Sequence, residues 1–96
     1  MSFIDKNGNI YSGEIIEDNY DEKYLHGKGS MITPSGLIYN GYFIYGLMHG
    51  KGSMITPSGL IYNGYFINGL MHGMFIVSTK TESITVKYEY GVLVEC

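Results

Sequence analysis

Short runs of apolar and β-branched residues, each bounded by glycine or proline, recur along this chain. One run is Leu37-Ile38-Tyr39-Asn40-Gly41-Tyr42-Phe43-Ile44, and another is Lys51-Gly52-Ser53-Met54-Ile55-Thr56. Their glycine, aromatic and β-branched content disfavours helix and predicts strands. Thr33-Pro34-Ser35-Gly36 and Thr56-Pro57-Ser58-Gly59 place proline second and glycine fourth, which suits a type I turn. Tyr45-Gly46-Leu47-Met48-His49-Gly50 supplies the glycines for a turn at the other end. The pattern predicts an all-β meander, strand and turn repeated along one axis. Alternation puts Tyr39, Gly41 and Phe43 on one face and Asn40, Tyr42 and Ile44 on the other. In the second run Gly50, Gly52 and Met54 share a face, and Lys51, Ser53 and Ile55 share the opposite one. Glycine weakens a strand unless packing requires it. The expected reason is that the Tyr39 and Phe43 rings lie flat over neighbouring glycines, as rungs of a ring–glycine ladder.

The pattern is a repeat. Residues 26–50 read HGKGSMITPSGLIYNGYFIYGLMHG and residues 49–73 read HGKGSMITPSGLIYNGYFINGLMHG. The period is 23 residues, and of 25 aligned positions only Tyr45 against Asn68 differs. Upstream, Gly8, Tyr11 and Gly13 keep the spacing of Gly36, Tyr39 and Gly41. Downstream, Tyr88 and Gly91 echo Phe66 and Gly69. Self-similarity at such a period marks a repeat array, whose end units are usually atypical.

Composition narrows the function. The chain has 96 residues, room for one domain. Its net charge is −3, with six lysines and no arginine. That gives no basic field for nucleic acid and little attraction to anionic membranes. The lone cysteine, Cys96, permits no internal disulfide and is expected to be a reduced thiol on a tail. The N-terminal stretch is too polar for a signal peptide and no apolar run is long enough for a bilayer, so an intracellular location is expected.

The run Tyr39-x-Gly41-x-Phe43-x-x-Gly46-x-x-His49-Gly50-x-Gly52, repeated as Tyr62-x-Gly64-x-Phe66-x-x-Gly69-x-x-His72-Gly73, resembles the MORN motif. The resemblance covers residues 8–75 well and the tail poorly. It implies one elongated, twisted antiparallel sheet of consecutive hairpins. Residues 39–61 and 62–75 are read as regular units, 8–30 as a divergent first unit, and 76–96 as a divergent C-terminal cap. Five extra residues in the first unit predict a long acidic loop over 17–23. Phe75 stands where Gly29 and Gly52 stand, and is expected to close the ladder. MORN arrays occur in scaffolding and membrane-contact proteins, and beside enzyme domains that carry the chemistry elsewhere.

The sequence holds no nucleophile elbow, P-loop or Rossmann fingerprint, so no enzyme activity and no cofactor are expected. His26, His49 and His72 recur once per unit. Equivalent residues of adjacent hairpins lie about 9–10 Å apart, too far to share a zinc ion with bonds of about 2 Å. They are expected to hold turns through backbone hydrogen bonds. Together with Lys28 and Lys51 they are also the candidates for anion or phospholipid contact. Tyr42, Ile44, Ile55, Tyr65, Ile67 and Tyr90 are the candidate interaction face, lying opposite the glycines. A one-layer sheet with apolar residues on both faces leaves one of them open. The reading is therefore a protein-interaction or scaffolding module, expected to be a homodimer, with a peripheral phosphoinositide-binding module as the alternative.

Overall fold

The computed structural model describes residues 2–95, and Cys96 lies outside them. It contains ten strands: β1 Ser2–Ile4, β2 Ile10–Glu17, β3 Lys23–Ile32, β4 Ile38–Ile44, β5 Leu47–Ile55, β6 Ile61–Ile67, β7 Leu70–Met71, β8 Gly73–Ser78, β9 Ser83–Glu89 and β10 Val92–Glu95. They form one open sheet in chain order, with β7 and β8 both paired to β6. Every pair is antiparallel. The sheet measures 43 × 23 × 19 Å, the elongated all-β architecture expected.

The two ends of the hairpins use different turns. At one end Gly36 N–H donates to the Thr33 carbonyl at 3.0 Å, and Thr33 Oγ1 accepts from Leu37 N–H at 3.1 Å. Residues 56–60 repeat this with Thr56, while Asp5 replaces the threonine in residues 5–9. At the other end Tyr45-Gly46, Asn68-Gly69 and Tyr90-Gly91 turn in two residues, all with positive φ. Such a pair matches the right-handed strand twist, and asparagine tolerates its first position better than tyrosine. The acidic insertion expected as a loop over 17–23 is a closed five-residue connection over 18–22. It is a tight turn, with Asp18 N–H donating to the Glu22 carbonyl and Asp18 Oδ1 accepting from Tyr20 and Glu22 N–H. Of the five extra residues, three lie in the turn, which has five residues (18–22) where Tyr45-Gly46 has two, and β2 and β3 are each one residue longer than β4 and β5; the aspartate closes the turn as threonine does elsewhere.

Register puts Gly13, Gly29, Gly41, Gly52 and Gly64 in one row across β2 to β6. A Cβ on Gly41 would lie 2.6 Å from the Gly52 Cα and 2.7 Å from the Lys51 carbonyl oxygen. The row therefore lets neighbouring backbones approach, and the pairing shifts register just past Gly13 and Gly41. This corrects the ring–glycine ladder. Gly29 faces Leu25 and Gly52 faces Met48, while Gly64 is the one whose nearest neighbours are ring atoms, those of Phe75 at 2.7–2.8 Å. Aliphatic side chains fill the space as well as rings because the requirement is only for an absent Cβ. The buried residues Leu25, Phe43, Met48, Phe66, Phe75 and Val86 form the core on this inner face. Beside them runs a half-buried row, Tyr11, Met31, Tyr39, Met54 and Tyr62, in register on successive strands. The alternation of thioether and ring is a favourable contact. The inner face is thus covered by the sheet's own side chains.

Candidate interaction surfaces

The outer face carries three parallel rows. The first is made of isoleucines: Ile4, Ile10, Ile32, Ile38, Ile55 and Ile61 are cross-strand partners in sequence on β1 to β6. Ser78 ends the row on β8. The second is polar, with Ser12, Ser30, Asn40, Ser53 and Asn63 in register. The third pairs Lys28 with Tyr42 and Lys51 with Tyr65. All four of these side chains are exposed, the tyrosines by 51% and 60%.

Tyr42, Ile44, Ile55, Tyr65 and Ile67 therefore share a face but not one patch, and Tyr90 lies apart in a turn. Ile55 belongs to the isoleucine row, Tyr42 and Tyr65 to the lysine–tyrosine row. Ile44 and Ile67 sit at strand ends, paired with Leu47 and Leu70. Tyr90 lies in a two-residue turn with its ring 4.3 Å from that of His72. The other five isoleucines of the row were not singled out from sequence. Their signal was present: one isoleucine precedes each Thr-Pro-Ser-Gly-Leu segment and one follows it, so the turn itself brings them opposite.

The histidines act on turns. His26, His49 and His72 each accept at Nδ1 from the backbone N–H of Tyr45, Asn68 and Tyr90, at 3.2, 3.3 and 3.1 Å. The next glycine N–H donates to Leu25, Met48 and Met71 carbonyls at 2.7, 2.7 and 2.8 Å. Each unit's turn is thus fastened to the strand before it. An accepting Nδ1 is unprotonated, so only Nε2 of each ring is left for any contact with an anion. Lys28 and Lys51 lie in the row with Tyr42 and Tyr65, which merges the two candidate sets on one surface.

Charge is unevenly placed. Six of the nine acidic residues fall within the first 22 positions, and residues 26–73 contain none. Two of the six are held as carboxylates by their own turns. For Asp5, partial burial pushes the carboxyl up, but hydrogen bonds from Asn9, Tyr11 and Asn7 outweigh it and bring it below its ordinary 3.8. For Asp18, backbone N–H bonds from Glu22 and Tyr20 lower it. A lowered folded-state value stabilises the fold above the unfolded value and is lost as pH falls through the folded one. Denaturation midpoints are expected to drop below about pH 4. Asp18→Asn should remove part of that acid dependence, which a midpoint series between pH 3 and 6 would read.

A family model described as MORN repeat matches residues 20–38, 39–61 and 62–74, more than half of the chain. The chain belongs to the MORN-repeat family. None of the curated proteins compared matches it. The first matched segment of the MORN array starts at Tyr20, in the acidic turn, and the last ends at Met74, just before Phe75 replaces the sixth glycine of the row. MORN repeats are generally linked to protein or membrane interaction.

Proposed function

We propose that this MORN array is a non-enzymatic protein-interaction or scaffolding module that self-associates through its outer face. The isoleucine row carries the reading. Six β-branched side chains in register form one apolar stripe, and Ile4, Ile10, Ile32 and Ile61 are exposed along it. The inner face already has its cover, whereas the stripe has none among the described residues. Contiguous exposed apolar surface of this kind marks interfaces. The two longer dimensions, 43 and 23 Å, can accommodate the about 800 Å² per partner that a stable dimer needs. A second copy would pack stripe to stripe across a two-fold axis.

Light scattering across a concentration series is the test. A dimer is expected at low micromolar chain. Ile32→Lys combined with Ile55→Lys should give a monomer with an unchanged far-UV spectrum. A native chain that stays monomeric throughout removes the reading. One observation favours the peripheral phosphoinositide-binding alternative: Lys28 and Lys51 share a row with exposed Tyr42 and Tyr65. Under that reading flotation with phosphoinositide vesicles is salt-sensitive and is lost in Lys28→Glu with Lys51→Glu, while the isoleucine variants still float.

A further inference from the structure

The inner face holds a cleft of about 270 Å³ at the N-terminal end of the array, away from the outer rows. Four aromatic side chains line it: Phe3 of β1, Tyr11 of β2, Tyr24 of β3, and Tyr45 of the turn between β4 and β5. They come from separate rungs, so the cleft exists only in the paired sheet. Phe3 and Tyr11 stack with ring centroids 4.7 Å apart, and Tyr24 meets Tyr45 edge-on at 6.3 Å. Tyr45 is also the one position at which the two near-identical units differ. It has φ at +44°, a left-handed conformation that costs a residue other than glycine or asparagine about 1–2 kcal/mol. Tyr45 thus brings to the cleft a ring that Asn68 does not supply at the equivalent turn.

The polar groups decide what kind of ligand fits. Tyr11 donates its hydroxyl hydrogen to Asp5 Oδ2 at 2.9 Å, and Tyr24 donates to Asp18 Oδ2 at 3.3 Å. A phenol that donates to a carboxylate gains electron density in its ring, which deepens the negative potential over its face. The surrounding sequence adds net negative charge, as the distribution of acidic residues requires. An anion is repelled by such a site, and a neutral apolar molecule draws nothing from its charge. No cluster of three metal-ligating side chains occurs among the described residues. A cation sheathed in methyl groups fits both features. It fills apolar space, and it interacts with ring faces without needing a hydrogen-bond acceptor.

We propose that this cleft binds a quaternary or methylated ammonium group. Lys23 also lines the cleft and is the one cation that opposes such a ligand.

The experiment is an NMR titration of the full chain with choline chloride and, separately, with 3,3-dimethylbutan-1-ol, its uncharged counterpart of the same shape. Saturable shifts confined to the cleft are expected for choline, with the alcohol about tenfold weaker. Tyr45→Asn copies the residue of the equivalent turn at Asn68, so the fold is retained while one ring is removed. It should weaken choline about tenfold. Lys23→Gln should tighten choline severalfold. A folded Tyr45→Asn chain with unchanged affinity, equal binding of choline and the alcohol, or no saturable choline shift would each overturn the proposal. Two carriers of the same group are separated by a trimethyllysine peptide and phosphatidylcholine vesicles: whichever binds more tightly than free choline is the source.

Discussion

Gly41→Ala is expected to destabilise the array by about 3 kcal/mol or more, an unusually large loss for one added methyl group. The atoms the new Cβ would meet are the Gly52 Cα and the Lys51 carbonyl oxygen, and backbone cannot swing aside as a side-chain end can. Relief requires β4 and β5 to separate, which pulls Phe43 off Met48, its partner across those strands. Left-handed backbone at +152° adds a further penalty. Gly59→Ala is the control. Gly59 also has positive φ, but nothing lies within 4 Å of the position its Cβ would take. That change should lose only about 1–2 kcal/mol, the conformational part alone. Denaturant midpoints of the two variants separate close approach from conformation. Equal losses would mean that the glycine row is needed only for its φ angles.

The second large effect comes from making the sequence more like its own repeat. Phe75→Gly restores glycine to the position held by Gly29 and Gly52. It is expected to lose about 4 kcal/mol or more, combining a buried aromatic deletion with the entropy of glycine. Phe75 is fully buried, covers Gly64, and meets Phe66 and Tyr88 edge-on at 5.3 and 5.6 Å. Inside the array a side chain four residues earlier on the same strand lies over the glycine, Leu25 over Gly29 and Met48 over Gly52. At Gly64 that space is filled from the neighbouring strand by the ring of Phe75, at 2.7–2.8 Å from the Cβ position. For a domain with six buried core residues such a loss approaches the whole stability. Loss of cooperative thermal unfolding by circular dichroism would show it. Phe75→Leu should retain most of the packing and a cooperative transition.

These cases show what could be read in the chain before its coordinates. The meander, both kinds of turn and the backbone role of the histidines follow from patterns within one 23-residue unit. Thr33 and Gly36 carry their own hydrogen bonds, and Tyr45-Gly46 needs only a two-residue turn. The reason for Gly41 was misplaced because it depends on register. Five glycines from five strands make one row only when the pairing is known, and within one strand a ring over a glycine is the nearest packing reason. The acidic insertion is legible from its length against the repeat, whereas its closure by Asp18, as by Thr33 and Thr56 elsewhere, shows only in the hydrogen bonds. The outer rows were legible in part. Tyr42 and Tyr65 stood out as aromatic residues on the face away from the glycines. The alignment of Ile38 with Ile55, and of Lys51 with Tyr65, is a property of neighbouring strands and not of any one of them.

The equivalence of β3 with β5, and of β4 with β6, gives the chain a modular length. Residues 26–32 and 49–55 are identical, as are 38–44 and 61–67, and their cross-strand partners repeat in the same order. One unit can therefore be added or removed with each remaining junction made of the same residues. Every such step moves the acidic, aromatic N-terminal end about 9–10 Å from the C-terminal strands. The number of copies thus sets the distance between the two ends of the array in steps of one hairpin.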